Sequence, residues 1–234
     1  MDLDELEAAA RGAKLIAITN PNNPAGALLD SDAIARIAVI AGREGAWILA
    51  DEVYRGLDQD GPGTSPSFVD VYPRTIAIGS MSKAFSLAGL RLGWLIAPPD
   101  VLTAVSRHRD YSVISVGARR RPARGARARA MPTRCCARNR GIVRANLAVL
   151  DGWIAEEPRI GYVKPASGTT ALLRVGADVV RGVLRGPPRG RGRPAGPGTA
   201  FDTDGTVRIG YANDPAVLVA GLERTSAFLA TLRA

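Results

Sequence analysis

Short apolar runs alternate with amphipathic segments over the first hundred residues, and that alternation predicts most of the fold. KLIAIT at Lys14 to Thr19, AWILA up to Ala50, and RTIAIG ending at Gly79 are continuously apolar, as parallel strands covered on both faces are. Between the first two, Ser31 to Arg43 sets Ile34, Ile37 or Ala38, and Ala41 on one face at helical spacing. Leu3 to Arg11 reads as a helix with acids at its start and Gly12 as its stop. Strand, helix, strand in this order implies a mostly parallel sheet covered by helices. GWLIA at Gly93 to Ala97 adds a short strand, and Asp100 to Arg109 a helix.

From Gly117 the pattern breaks. Residues 119 to 140 are rich in Arg, Ala and Pro and carry no convincing apolar stripe, whereas GIVRANLAVLDGWIAEE resumes a helix through Ile142, Leu147, Leu150 and Ile154. Strands are expected at Thr169 to Val175 and Thr206 to Ala212. A final helix is capped by Asp214 and opened by Pro215, with Val217, Leu218, Leu222, Phe228 and Leu229 as its apolar positions. The expected division is a large domain over 1–137 and a small domain over 138–234, disrupted near 181–198.

Composition narrows the class. An apolar share of 46% in 234 residues is enough for a substantial core. No apolar run is long enough to cross a bilayer, and the acidic start MDLDELEAAA is unlike a secretion signal, so a soluble cytoplasmic protein without membrane contact is expected. Cys135 and Cys136 are adjacent and His108 is the single histidine, which leaves no ligand set for a structural metal. The net charge of +9 is local: nine arginines fall in 119–140 and five in 181–193, with no acid in either tract. Neither tract interleaves aromatics for base stacking, so no specific nucleic-acid partner is expected.

Candidate chemistry gathers where the strands end. NPNNPAG, Asn20 to Gly26, is a proline-rigid turn able to point Asn22 or Asn23 inward. Asp51 closes the second strand, and ligands in such sheets meet the carboxyl ends of strands. Lys83 stands in GSMSKAFSLAGLRLGW and is one of only three lysines, with Lys14 and Lys164, among 31 basic residues. An amine can lose its proton and attack a carbonyl carbon, which a guanidinium cannot, so Lys83 is a candidate Schiff-base lysine. Ser80, Ser82 and Arg91 surround it with donors suited to phosphate oxygens.

NPNNPAG, ADEVYRG, GSMSKAFSLAGLRLGW and TVRIGYAND together resemble the class I/II aminotransferases, fold-type I enzymes that use pyridoxal 5'-phosphate. The resemblance implies an α/β large domain with a mostly parallel sheet followed by an α+β small domain. It also implies a homodimer, an amino acid and a 2-oxo acid as substrates, and transfer of an amino group between them. Lys83 matches the lysine that holds the cofactor aldehyde. Asn23 and Tyr54 match residues bonding its phenolic oxygen, Asp51 the partner of its ring nitrogen, and Ser80, Ser82 and Arg91 its phosphate contacts. Arg208 matches the arginine that receives the substrate α-carboxylate. Two other readings are a pyridoxal-phosphate lyase or cyclase acting on an amino acid, and a truncated noncatalytic pseudo-enzyme. The family has a segment ahead of the equivalent of Leu3, so the expectation is a fragment lacking that N-terminal segment, with a partial large domain.

Each arginine-rich tract interrupts the family pattern and then returns to it, as paired frameshifts in a G and C rich coding region produce. Translating all frames across both tracts is expected to recover amphipathic sequence; its absence in every frame rejects that origin.

Overall fold

In the computed structural model, the described residues are 1–109, 111–113, 126–176, 180 and 195–231. Helix α1 (Leu3–Ala9) leads into strand β1 (Leu15–Thr19), helix α2 (Ser31–Glu44) and strand β2 (Trp47–Asp51). Strand β3 (Thr75–Ser80), strand β4 (Gly93–Ile96) and helix α3 (Pro99–Arg109) follow. The four strands form one sheet in the order β1-β2-β3-β4, with the first three parallel and β4 antiparallel to β3.

Helix α2 forms because its ends and its stripe agree. Asp30 accepts a hydrogen bond from the Ala33 amide at 2.8 Å, and Gly45, at φ 61°, closes the last turn in the left-handed region. Its buried face, Ile34, Ile37, Ile40 and Ala41, packs on Ile16, Ile18, Ile48, Ala50 and Ala77 of the sheet. Other apolar positions stay open to solvent, with Leu15 on β1 and Ile96 on β4 each 49% exposed.

The rest of the chain builds a second layer. Helix α4 (Ala126–Glu156) precedes a sheet of strands β5 (Gly161–Tyr162), β6 (Thr170–Arg174), β7 (Ala195–Pro197) and β8 (Thr206–Gly210), and helix α5 (Pro215–Thr231) ends it. The sheet order is β5-β6-β8-β7, antiparallel throughout. Val143, Leu147 and Leu150 of α4 join Leu173, Ile209, Tyr211, Leu218, Leu222 and Leu229 in one core.

Several sequence expectations meet the structure here. The expected partial fold is corrected: a large-domain sheet and a small-domain sheet are both present, because α2 closes one apolar cluster and α4 with α5 closes the other. Helix α4 starts at Ala126, within the arginine-rich stretch, where Ala and Arg have high helix propensity. Val143 is buried where Ile142 was expected to be, a one-residue turn of the stripe. Strand β7 lies in the stretch expected to be disrupted. Residues 119–125 and 181–194 lie outside the described residues, and the expected division at 137/138 falls within α4.

Leu150 is fully buried. Leu150→Ala is expected to lower stability by about 2–5 kcal/mol in denaturant unfolding of the full chain. Val217→Ala, at a position 63% exposed, is expected to change it by less than about 0.5 kcal/mol.

Candidate functional site

The carboxyl ends of β1, β2 and β3 lie side by side, since Thr19 is level with Asp51 and Asp51 with Ile78. The loop after β1 is tied down from several directions. Asn20 donates its amide to the Asp51 carbonyl at 3.0 Å and accepts from the Leu29 amide at 3.0 Å, while Asn22 accepts from the Ala25 amide at 3.2 Å. Both X-Pro bonds of the loop, Asn20-Pro21 and Asn23-Pro24, are cis. The Gly26 carbonyl accepts from the amides of Ala166 and Ser167, and Pro24 accepts from the Thr170 hydroxyl at 3.1 Å. The loop thereby meets the small domain.

Asp51 accepts from the Val53 amide through Oδ1 at 3.1 Å. Three residues on, Tyr54 is buried at 4% exposure, and the Lys83 amine lies 5.5 Å from the centre of its ring. That contact joins the end of β2 to the turn after β3. Among the described residues Lys83 forms no salt bridge. Ser80 donates to the Ser82 hydroxyl at 2.9 Å and accepts from the Ser82 amide at 3.0 Å, so the two hydroxyls sit together beside the lysine. Arg91 is exposed, in the left-handed region at φ 51°, and donates to the Ala88 carbonyl at 3.1 Å instead of to either serine.

Arg208 comes from the other domain. It lies on β8, donates to Asn23 Oδ1 at 3.5 Å, and holds its guanidinium carbon 4.7 Å from the centre of the Phe201 ring. The structure therefore groups Asn23 with Arg208, Tyr54 with Lys83, and Ser80 with Ser82, along one edge of the large sheet, and leaves Arg91 turned aside.

Several residues around the site carried no sequence signal. Buried Asn139 on α4 donates to the Ala84 carbonyl at 2.8 Å and so fixes the turn that carries Lys83. Glu52 accepts from the Ser67 hydroxyl at 2.7 Å and the Phe68 amide at 3.1 Å. Buried Asp58 accepts from the Ser167 hydroxyl at 2.8 Å, a second link between the domains. Burial pushes the Asp58 carboxyl above its ordinary value, opposed by the Ser167 hydrogen bond and by Arg55, Arg140 and Arg144. Phe201 had one available signal, an aromatic in the turn that feeds the strand of Arg208.

Residues 1–162 match the family of class I and II aminotransferases. The chain belongs to that family. Histidinol-phosphate aminotransferase of Symbiobacterium thermophilum is 38% identical over 111 residues, 47% of this chain and 30% of that protein. Capreomycidine synthase of Streptomyces vinaceus is 32% identical over 116 residues, 49% of this chain and 30% of that protein. A PLP-dependent aminotransferase from Streptococcus suis, solved by crystallography, superposes with a TM-score of 0.84 at 33% identity, over 100% of this chain and 62% of that one. This aminotransferase-family chain thus spans less than two thirds of each of these relatives. Because the superposition takes in both domains, it corrects the expectation of a fragment with a partial fold: a large domain and a small domain are both present. No helix among the described residues is long and apolar enough to cross a membrane, and none of their His, Cys, Asp and Glu side chains cluster to hold a metal.

Membership of the family implies use of pyridoxal phosphate, and the donor set fits it. An amine without an ion partner, a carboxylate with an oxygen to spare, paired hydroxyls and a tyrosine hydroxyl bound to no other described residue all lie along the same edge.

The raised carboxyl of Asp58 sets a sign. The folded state binds its proton more tightly than the unfolded state does, so this group's contribution to stability falls as pH rises from the ordinary value of 3.8 toward the folded one. Asp58→Asn is expected to remove that decline. The check is the stability of parent and variant in urea between pH 3.5 and pH 7: their difference should shift in the variant's favour as pH rises, and parallel curves would contradict the assignment.

Proposed function

We propose that this chain uses pyridoxal 5'-phosphate to move an amino group between an amino acid and a 2-oxo acid. The observation that carries the reading is the Lys83 amine over the Tyr54 ring, at the strand edge that also holds Asp51 and Asn23. The family match over residues 1–162 supports it.

In this reading Lys83 would hold the cofactor through its amine and would take and return the proton at the substrate α-carbon. The cofactor, when bound, supplies the conjugated ring that accepts the electrons left by that proton. Asp51 would hold a cationic ring nitrogen with its carboxylate, and Asn23 and Tyr54 would give hydrogen bonds to the ring's oxygen. Ser80 and Ser82 would bond phosphate oxygens and so position the group without sharing in the chemistry. Arg91 would join them only by giving up its hydrogen bond to the Ala88 carbonyl. Arg208 clamps the α-carboxylate in the plane of its guanidinium. A homodimer in the cytoplasm completes the proposal.

A second reading has one specific support, the likeness to a relative named as a synthase. There the same lysine, aspartate and arginine would serve elimination or cyclisation on the amino-acid side chain. The two readings part in a half-reaction: transfer leaves the cofactor in its amine form, and elimination or cyclisation releases ammonia or a cyclic product with the aldehyde form kept.

The decisive variant is Lys83→Ala. Titrated with pyridoxal 5'-phosphate, the parent is expected to gain the visible absorbance of a cofactor joined to an amine, and the variant to lack it. Turnover is expected to drop by at least about 100-fold, the scale of a lost acid–base group. A variant that keeps the parent's spectrum refutes the role of Lys83.

A further inference from the structure

We propose that Phe201 is a positioning residue that holds the guanidinium of Arg208 ready for an incoming carboxylate. The proposal rests on the reading of Arg208 as the residue that receives the substrate α-carboxylate. Its starting point is the ring contact, with the guanidinium carbon of Arg208 4.7 Å from the centre of Phe201.

An arginine intended for a ligand carboxylate poses a physical problem. Left alone it samples many rotamers, and paired with Asp or Glu its N–H groups are already taken. A ring solves both difficulties, since an aromatic face attracts a cation and leaves the in-plane N–H donors free. Among the described residues Arg208 has no acidic partner, and its one side-chain hydrogen bond is the long contact to Asn23 at 3.5 Å.

The segment carrying the ring is built to hold it still. Phe201 ends a 3-10 turn, Gly198–Phe201, and Asp202 follows in the left-handed region at φ 51°. Thr203 donates its amide to the Gly198 carbonyl at 3.0 Å and its hydroxyl to the Phe201 carbonyl at 2.9 Å, and Thr206 donates its hydroxyl to the Thr203 carbonyl at 2.8 Å. A Cβ at Gly198 would lie 1.8 Å from the Thr206 hydroxyl, so the turn closes directly onto β8. On the paired strand, Gly196 is level with Arg208, and a Cβ there would sit 3.8 Å from Nη2 and 3.9 Å from Nε. Such a Cβ would make only ordinary van der Waals contact, so the guanidinium lies directly beside Gly196 on the paired strand.

The test uses the full chain and pyruvate as the probe carboxylate, with affinity read by ligand-observed NMR and the Arg208 Nε–Hε signal assigned by its loss in Arg208→Leu. Phe201→Leu is expected to weaken pyruvate about fivefold and to erase the ring-current shift of the Arg208 signal, while Phe201→Tyr stays within about twofold of the parent. Unchanged affinity in Phe201→Leu, with binding lost in Arg208→Leu, overturns the positioning role and leaves the carboxylate reading standing. Equal weakening in Phe201→Tyr also overturns it, because the ring is kept there. Pyruvate bound as tightly by Arg208→Leu as by the parent removes the carboxylate reading itself, and the role of Phe201 with it.

Discussion

Gly26 is where the two domains become one site. Its carbonyl accepts from two successive amides, Ala166 and Ser167, and its own φ of 69° is one that L side chains rarely adopt. A Cβ there would stand 2.5 Å from the Cβ of Pro165 and 2.7 Å from the Ser167 carbonyl, so a larger residue would force the backbones apart. This backbone seam fixes the loop carrying Asn23 to the start of β6, and β6 pairs with β8, which carries Arg208. The nearness of Asn23 and Arg208 is therefore set by main-chain pairing across the domains. The side-chain contact at 3.5 Å is a consequence of that pairing and too weak to be its cause.

Helix α4 carries the same logic to the opposite flank. Asn146, fully buried, donates to the carbonyls of Tyr211 and Asn213, and Arg144 donates to those of Asp58 and Gly61. Asn139 adds the carbonyl of Ala84, beside Lys83. These acceptors belong to loops with no strand or helix partner of their own, and a buried carbonyl without a donor is costly. A planar guanidinium reaches two carbonyls at once, which an ammonium cannot do as well. At and just beyond the end of the arginine-rich stretch, Arg140 and Arg144 serve as donors to backbone carbonyls.

How much of this was legible in the sequence depends on whether an element is defined by its own residues or by its neighbours. Strands β1 to β3 and helix α2 carry their own signal, continuous apolar runs and a capped stripe, and they stand where the pattern puts them. Strand β7 is Ala-Gly-Pro, with no pattern at all, and is a strand only because β8 pairs with it. Asn139 and Asp58 gain meaning from carbonyls and hydroxyls distant in sequence, and Phe201 from the strand that follows its turn. Arg91 shows the converse: spacing from Lys83 places it near the serines, but a left-handed turn aims it elsewhere. Roles for the site residues came from the resemblance of four motifs, since no local pattern distinguishes a cofactor-facing aspartate from a cap.

The two cations of the site are held alike. Lys83 faces the ring of Tyr54 and Arg208 the ring of Phe201, and neither meets a carboxylate among the described residues. Glu52 is engaged by Ser67, Phe68 and, at 4.0 Å, Arg55, while one of the two Asp51 oxygens accepts from the Val53 amide. An internal ion pair would have quenched each positive charge and occupied its donors. A ring offers part of the electrostatic stabilisation and leaves the donors open. Among the described residues neither Lys83 nor Arg208, one from each domain, thus has a carboxylate partner, and the hydrogen-bond donors of both stay largely open.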